Sequence, residues 1–422
     1  MVVKKTIGSI YRLVPASITL ILALFIVACG GGGGGVSNSD RTFSGTITGF
    51  GSIFVNGVEI ETNGASISID DKSGSEDDLK VGMQVTVVGN VGTDGATGTA
   101  TSIIYNDDLE GIVISNGISA SQTTGNLNVM GQTVTVSENT IIEGVVTPDL
   151  IVAGMIIEVS GHASGTGSIQ ATRIEVKAID LTTYLSTHAE GIEVKGVIVN
   201  HDEVNSKFDI GGITVDYSAA TLDNMPTGNF DTLYVEVKST AGIDSISGEL
   251  IASVVELESN GVKGHDGADN EEVTLKGLIT SDINGDKFDV DGVTVTVNAN
   301  TEYDGISRSS LLTGVMVEVE GYYLNGSFVV EEVEVEHESS SEVKDTVASI
   351  VTTATNTGTV SLTSGSVVTI TSTTIMKDSR DNGFTPDPKF NLQSLAAGDY
   401  VEIHYYVDNG ENIATKLERE DI

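Results

Sequence analysis

A six-residue pattern returns five times along this chain, and its spacing constrains the fold more than any other feature. It appears as GMQVTV from Gly82, GMIIEV from Gly154, TLYVEV from Thr232, GVMVEV from Gly314 and GDYVEI from Gly398. Successive copies lie 72, 78, 82 and 84 residues apart. Each has companions at steady offsets. Upstream lies a "GTIT…IFVNGVEIE" pattern, recurring as "GIVI…LNVMGQTVTV", "GVIV…FDIGGITVDY", "GLIT…FDVDGVTVTV" and, weakly, "ASIV…VSLTSGSVVTI". Downstream comes one further strand, as in "GTATSIIY" or "FVVEEVEV".

The runs alternate apolar and polar residues with a period of two, which suits a half-buried sheet and not a helix. Asn56-Gly57, Gly211-Gly212 and Asp291-Gly292 fit tight hairpins that need positive φ. The expected fold is all-β: a tandem array of five small antiparallel barrels, each of five strands and of the oligonucleotide/oligosaccharide-binding (OB-like) type. The boundaries fall at 41–108, 109–190, 191–268, 269–342 and a divergent 343–422, with a two-layer sandwich as the alternative for each unit. Alternation turns Val85, Val87, Ile157, Val159, Val235, Val237, Val317, Val319, Val401 and Ile403 inward. The link "KAIDLTTYLSTHAEGIEVK" reads as a bridge or a helical turn.

Ahead of the repeats stands a different kind of segment. Lys4, Lys5 and Arg12 precede an apolar run from Val14 to Ala28, with no acid before Cys29. At about fifteen residues the run is short for a membrane span and fits a secretory leader, 1–28. Ile26-Val27-Ala28-Cys29 resembles the bacterial lipobox. That resemblance implies cleavage before Cys29, lipidation of its thiol and a membrane anchor, and Gly30 in place of Asp implies delivery to the outer membrane. Residues 29–40, with six glycines after the cysteine, then form a flexible tether.

The repeats themselves resemble a family of uncharacterised tandem domains in predicted bacterial lipoproteins. The likeness rests on the Gly-x-Ile starts at Gly45, Gly111, Gly196 and Gly277, the "VNGVEIE" hairpins and the "LKVGMQVTVVG" segment from Leu79 to Gly89. It implies a small β-barrel and an envelope address, with no assigned reaction. Thr232 and Ala348 stand at glycine positions in copies three and five, so their turns are expected to differ.

Charge narrows the partners. Without residues 1–28 the chain has 18 Lys and Arg against 60 Asp and Glu, a net charge near −42. Nucleic acid is disfavoured, because phosphate binding needs clustered cations. With one cysteine, no intrachain disulfide forms. The sequence lacks HExxH, GxSxG and P-loop motifs and implies no cofactor. Asp282, Asn284 and Asp286 alternate as in a calcium loop, but Lys287 and Val293 occupy the glycine and bidentate-acid positions, so a hairpin turn with weak cation binding is the reading. Tyr322 and Tyr405, each in a Tyr-Tyr pair after the repeated strand, are candidates for exposed binding rings. The six histidines read as solvated turn residues, and Lys377 to Phe390 as an irregular connection or a recognition loop. These features together describe a membrane-anchored, non-enzymatic binding or spacer scaffold, for an envelope protein or glycan ligand, cation-bridged. The alternative is a hydrolase or glycan-binding protein with its site between repeats.

Overall fold

The computed structural model describes residues 41–92, 95–165, 167–258, 262, 267–336, 341–380 and 386–421. The leader, Cys29 and the tether lie outside the described residues. Among those described, no helix is long and apolar enough to cross a membrane.

Copy two shows the unit most simply. Its strands are Leu109–Asn116, Gly125–Val129, Gln132–Glu143, Ile156–Gly165 and Ser168–Ala178. The first pairs antiparallel with the second and the fourth, the second with the third, and the fourth with the fifth. The third runs parallel to the fifth and closes the ring. The same circuit returns in copies one, four and five, where the third strand is broken in two and both pieces lie parallel to the fifth. Copy three repeats it with a fifth strand split into Leu250–Ile251 and Val254–Leu257. All ten residues that alternation turned inward are fully buried. Asn56-Gly57, Gly211-Gly212 and Asp291-Gly292 occupy the two-residue turns between paired strands. The link after copy two holds a short α-helix, Leu181–Leu185, capped by the Asp180 carboxylate, which accepts from the Thr183 amide at 2.7 Å.

One backbone lock recurs in every copy. The amides of Gly82, Gly154, Thr232, Gly314 and Gly398 donate to the carbonyls of Ile47, Val113, Ile198, Ile279 and Val347 at 2.8–2.9 Å. Each donor has positive φ, from 74° at Thr232 to 99° at Gly398. Thr232 therefore keeps the turn that its side chain was expected to change, because the hydrogen bond dictates the backbone there. A β-branched residue held in the left-handed region costs roughly 1–3 kcal/mol. Thr232→Gly should raise stability by about 1 kcal/mol, seen as a higher urea midpoint of the full chain. An unchanged or lower midpoint would show that the side chain is needed where it stands. Ala348 is accommodated differently. In copies one and four the first-strand glycine leaves room for the Asn56 or Asp291 side chain folded back from the hairpin, whereas copy five has a four-residue turn, 363–366, at that place.

The copies are tandem in sequence but clustered in space. Copies two and three share one apolar core. Thr42–Ser44 of copy one runs parallel to Val273–Leu275 of copy four, joining their sheets. Copy one also meets copy two, where the Gln84 amide donates to Ser160 Oγ at 2.8 Å and Thr172 Oγ1 to the Gly82 carbonyl at 2.6 Å. It meets copy five at the buried Asn356, whose Oδ1 accepts from the Leu392 amide at 2.8 Å while Nδ2 donates to the Phe50 carbonyl. A row of separately standing barrels is thus replaced by a body with copy one at its centre.

Candidate functional site

Strand register places one residue from the first, fourth, fifth and third strands of each copy side by side on the outer face of the sheet. In copy one this row is Ser44, Thr86, Ile104 and Ser68. In copy two it is Glu110, Glu158, Glu175 and Glu143, and in copy three Lys195, Glu236, Glu256 and Asp223. Copy four has Lys276, Glu318, Glu334 and Asp304. Copy five has Lys344, Glu402, Glu418 and Lys377. Copy one alone carries no charge in its row, because Ser44 and Thr86 are covered by neighbouring copies and a charge there would lose its hydration. In the other copies like charges stand directly opposite one another, which is unfavourable unless cations intervene.

Two of these rows converge. Leu109 and Glu110 of copy two pair with Val194 and Glu193 of copy three, bringing an ionic cluster into the interior. Its cation is Lys195, whose side chain is 11% exposed. Nζ donates to the Asp107 carbonyl at 2.8 Å and to Glu193 Oε1 at 3.0 Å, and it lies 3.2 Å from Glu236 Oε1 and 3.5 Å from Asp107 Oδ1. Burial works to lower the ammonium pKa, but Glu193, Asp107 and Glu236 outweigh it and raise it. Burial, with Glu193 beside it, pushes Asp107 well up despite Lys195. Burial also acts to raise Glu193, yet Lys195 and the hydrogen bond with Asp107 bring it down to about 2. Asp70, whose Oδ1 accepts from the Asp107 amide at 3.0 Å, is raised by burial to about 6. Tyr105, from copy one, donates to Glu158 Oε1 at 2.8 Å, and Lys177 donates to the other oxygen at 2.7 Å.

Beside this cluster a cavity of about 360 Å³ opens between copies two, three and four. Asp107, Asp108, Glu258, Asp289 and Asp291 line it, with Lys195 as the cation among the described residues. Thr232, held in its strained turn, and Tyr234 form part of the wall. Asn106 also lines it, and its Oδ1 is buried with no hydrogen-bond partner among the described residues.

The residues singled out from sequence lie elsewhere. Asp282 accepts from the Thr313 amide and hydroxyl at 2.7 and 2.8 Å, tying a loop to its strand. Asp286 accepts from Arg308 at 2.7 Å. Asn284 faces Lys287 across the hairpin. The three do not converge on one point. Tyr322 and Tyr405 are half-buried on separate copies, and neither stands out as an exposed ring. Two histidines depart from the solvated reading: His162 and His404 are 4% and 2% exposed. His162 follows a bulge at Gly161 that shifts the register of its strand, and its Nδ1 lies 2.7 Å from Asp291 Oδ2 of copy four. The Gln84 amide nitrogen of copy one sits 2.7 and 3.0 Å from the two ring nitrogens. His404 Nε2 lies 2.7 Å from Glu402 Oε1. His265, His337 and residues 381–385 of the long connection lie outside the described residues.

Residues 44–104, 110–175, 276–334 and 346–418 match the model of a domain of unknown function, DUF5666. No curated protein matches the chain. The unmatched copy three carries the same circuit and the same lock. It differs where the other copies insert Leu79, Ile151, Leu311 or Leu395 after a 3₁₀ turn. There it uses Phe230, stacked on His201 at 4.3 Å.

Proposed function

The chain belongs to the DUF5666 family, which supplies a fold and no reaction, and from that premise we propose a membrane-anchored, non-enzymatic cell-envelope lipoprotein that binds a small cationic ligand between its repeats. The observation that carries this reading is the cavity joining copies two, three and four, where Asp108, Glu258, Asp289 and Asp291 line the wall and Lys195 is already neutralised by its own neighbours. Such a site favours a compact cation, either a divalent metal or an organic ammonium, over an anion. The lipobox-like Ile26 to Cys29 and the glycine tether support attachment through Cys29 to the outer membrane. A hydrolase would use a pair such as His162 and Asp291. Here the Gln84 side chain packs against the ring nitrogens from copy one, which favours a joint between copies.

The test uses full-length chain extracted from membranes. Mass spectrometry of the amino-terminal peptide should show a lipidated Cys29. Equilibrium dialysis with calcium and, separately, with spermidine should show one saturable site for one of them. Ala163→Phe, which fills the cavity from its wall, should weaken that site at least tenfold, about 1.4 kcal/mol. An unmodified cysteine would refute the anchor. Binding that is unsaturable, or untouched by Ala163→Phe, would refute the site.

A further inference from the structure

Asp107 and Lys195 differ from the surface ion pairs of this chain in being enclosed together with a second pair of acids. Asp107, 2% exposed, lies in the link between the last strand of copy one, ending at Tyr105, and the first of copy two, starting at Leu109. Lys195 comes from the first strand of copy three, 88 residues on. Its Nζ is 3.5 Å from Asp107 Oδ1, an oxygen that accepts no hydrogen bond among the described residues. Glu193 is hydrogen-bonded to the Asp107 side chain and lies 3.0 Å from Nζ, and Glu236 is 3.2 Å from Nζ on the fourth strand. A carboxyl group and two carboxylates able to take and return protons therefore stand 3.0–3.5 Å from one amine nitrogen.

We propose that Lys195 and Asp107 become joined by an intramolecular isopeptide bond, formed by the folded chain itself. The Lys195 ammonium passes one proton to Glu236. The freed amine attacks Cγ of Asp107, whose carboxyl proton is shared with Glu193, and a C–N bond forms. Glu193 takes a second proton from nitrogen and delivers it to the hydroxyl, the C–O bond breaks, and water leaves. Ammonium and carboxylic acid are replaced by amide and water, the surplus proton stays on Glu236, and no oxidation state changes. The adjoining cavity, which both residues line, receives the water.

Three physical points favour the reaction. Enclosure lets the carboxyl stay protonated and therefore electrophilic, which an exposed aspartate at neutral pH is not. Fixed juxtaposition supplies an effective concentration on the order of 10⁵ M or more, enough to oppose hydrolysis by water. The amide removes a buried ammonium whose hydration is otherwise lost, while Lys238, 2.8 Å from Glu236 Oε2, remains to pair the acids left behind. The Glu193 and Glu236 carboxylates hold the amine charged at rest, so the bond forms slowly and once per chain. With a lone cysteine the chain has no disulfide to fix copy three to the junction of copies one and two, and the amide performs that task.

The full chain, purified from cells and incubated folded before denaturation, is digested with trypsin and weighed. The expected product is a branched peptide carrying Asp107 and an uncut Lys195, lighter by about 18 Da than its two parts together. Lys195→Arg keeps the positive charge and should yield only linear peptides. Glu193→Gln and Glu236→Gln, checked for a native circular dichroism spectrum, should leave most chains unlinked. Complete cleavage after Lys195 in the unaltered protein, with a linear Asp107 peptide, overturns the proposal. Full linkage in both glutamine variants overturns the assigned proton transfers.

Discussion

Val317→Asp should unfold copy four while leaving the chain soluble. Val317 is fully buried on the fourth strand, paired with Gly277 and Val335, in a core with Val319, Val295, Phe288 and Phe328. A carboxylate placed there has no partner, and its burial costs several kcal/mol, comparable with the whole stability of a small domain. Urea titration followed by limited proteolysis should show an early transition in which residues of copy four are cut first. Leu324→Asp, in the same strand but 42% exposed, is the control and should shift the midpoint by less than about 1 kcal/mol. Equal effects of the two substitutions would show that this strand does not face a closed core. Because Val273–Leu275 is sheet-paired with Thr42–Ser44, copy one should lose protection next.

The confidence with which Val317 can be chosen shows which part of the structure is written locally. A strand with one apolar face announces it within six residues, and the hairpins at Asn56-Gly57 and Asp291-Gly292 follow from the φ values those residues tolerate. The ionic cluster is legible only in retrospect. Glu158, Glu236, Glu318 and Glu402 occupy the same place of the repeated pattern in copies two to five, and Lys195, Lys276 and Lys344 share a place in the first strands. That these lie opposite one another depends on register, and that the rows of copies two and three meet depends on packing between copies. His162 shows the same limit: it reads from sequence as a solvated turn residue, but the bulge at Gly161 turns it onto Asp291 of another copy. Distances along the chain, 129 residues in that case, carry no hint of such a contact.

Asp378→Ala should detach the long connection of copy five and destabilise that copy by roughly 3–5 kcal/mol, the usual result of removing one partner from a buried ion pair. The Asp378 side chain is wholly buried. Arg380 donates to its two oxygens at 2.9 Å each, Arg419 Nη2 donates at 2.7 Å, and the Asp387 amide donates at 3.1 Å from the far side of the connection. Arg419 is itself 7% exposed and lies 4.3 Å from the centre of the Phe390 ring, so removal of the carboxylate leaves this cation with the Ser394 carbonyl at 3.0 Å and Asp399 Oδ2 at 3.3 Å, both on Nη1, and no acceptor for Nη2. Burial acts to raise the Asp378 pKa, but the two guanidinium groups and the amide hold it well below the usual carboxylate range. The sign follows: a carboxyl with a depressed folded pKa stabilises fully above its unfolded value, near pH 4, and the contribution fades as pH falls below that. Denaturant midpoints of copy five should therefore drop between about pH 4 and pH 2 in the unaltered chain and much less in Asp378→Asn, which cannot titrate. Lys389 supplies an independent check, because it reaches from the same connection to Glu76 of copy one at 2.7 Å. Lys389→Ala breaks this part-exposed bridge and a second, more exposed one to Asp77 at 3.1 Å, and should cost no more than about 1 kcal/mol. If Lys389→Ala matched Asp378→Ala, the connection would be held by its contact with copy one, and the buried carboxylate would not be its anchor.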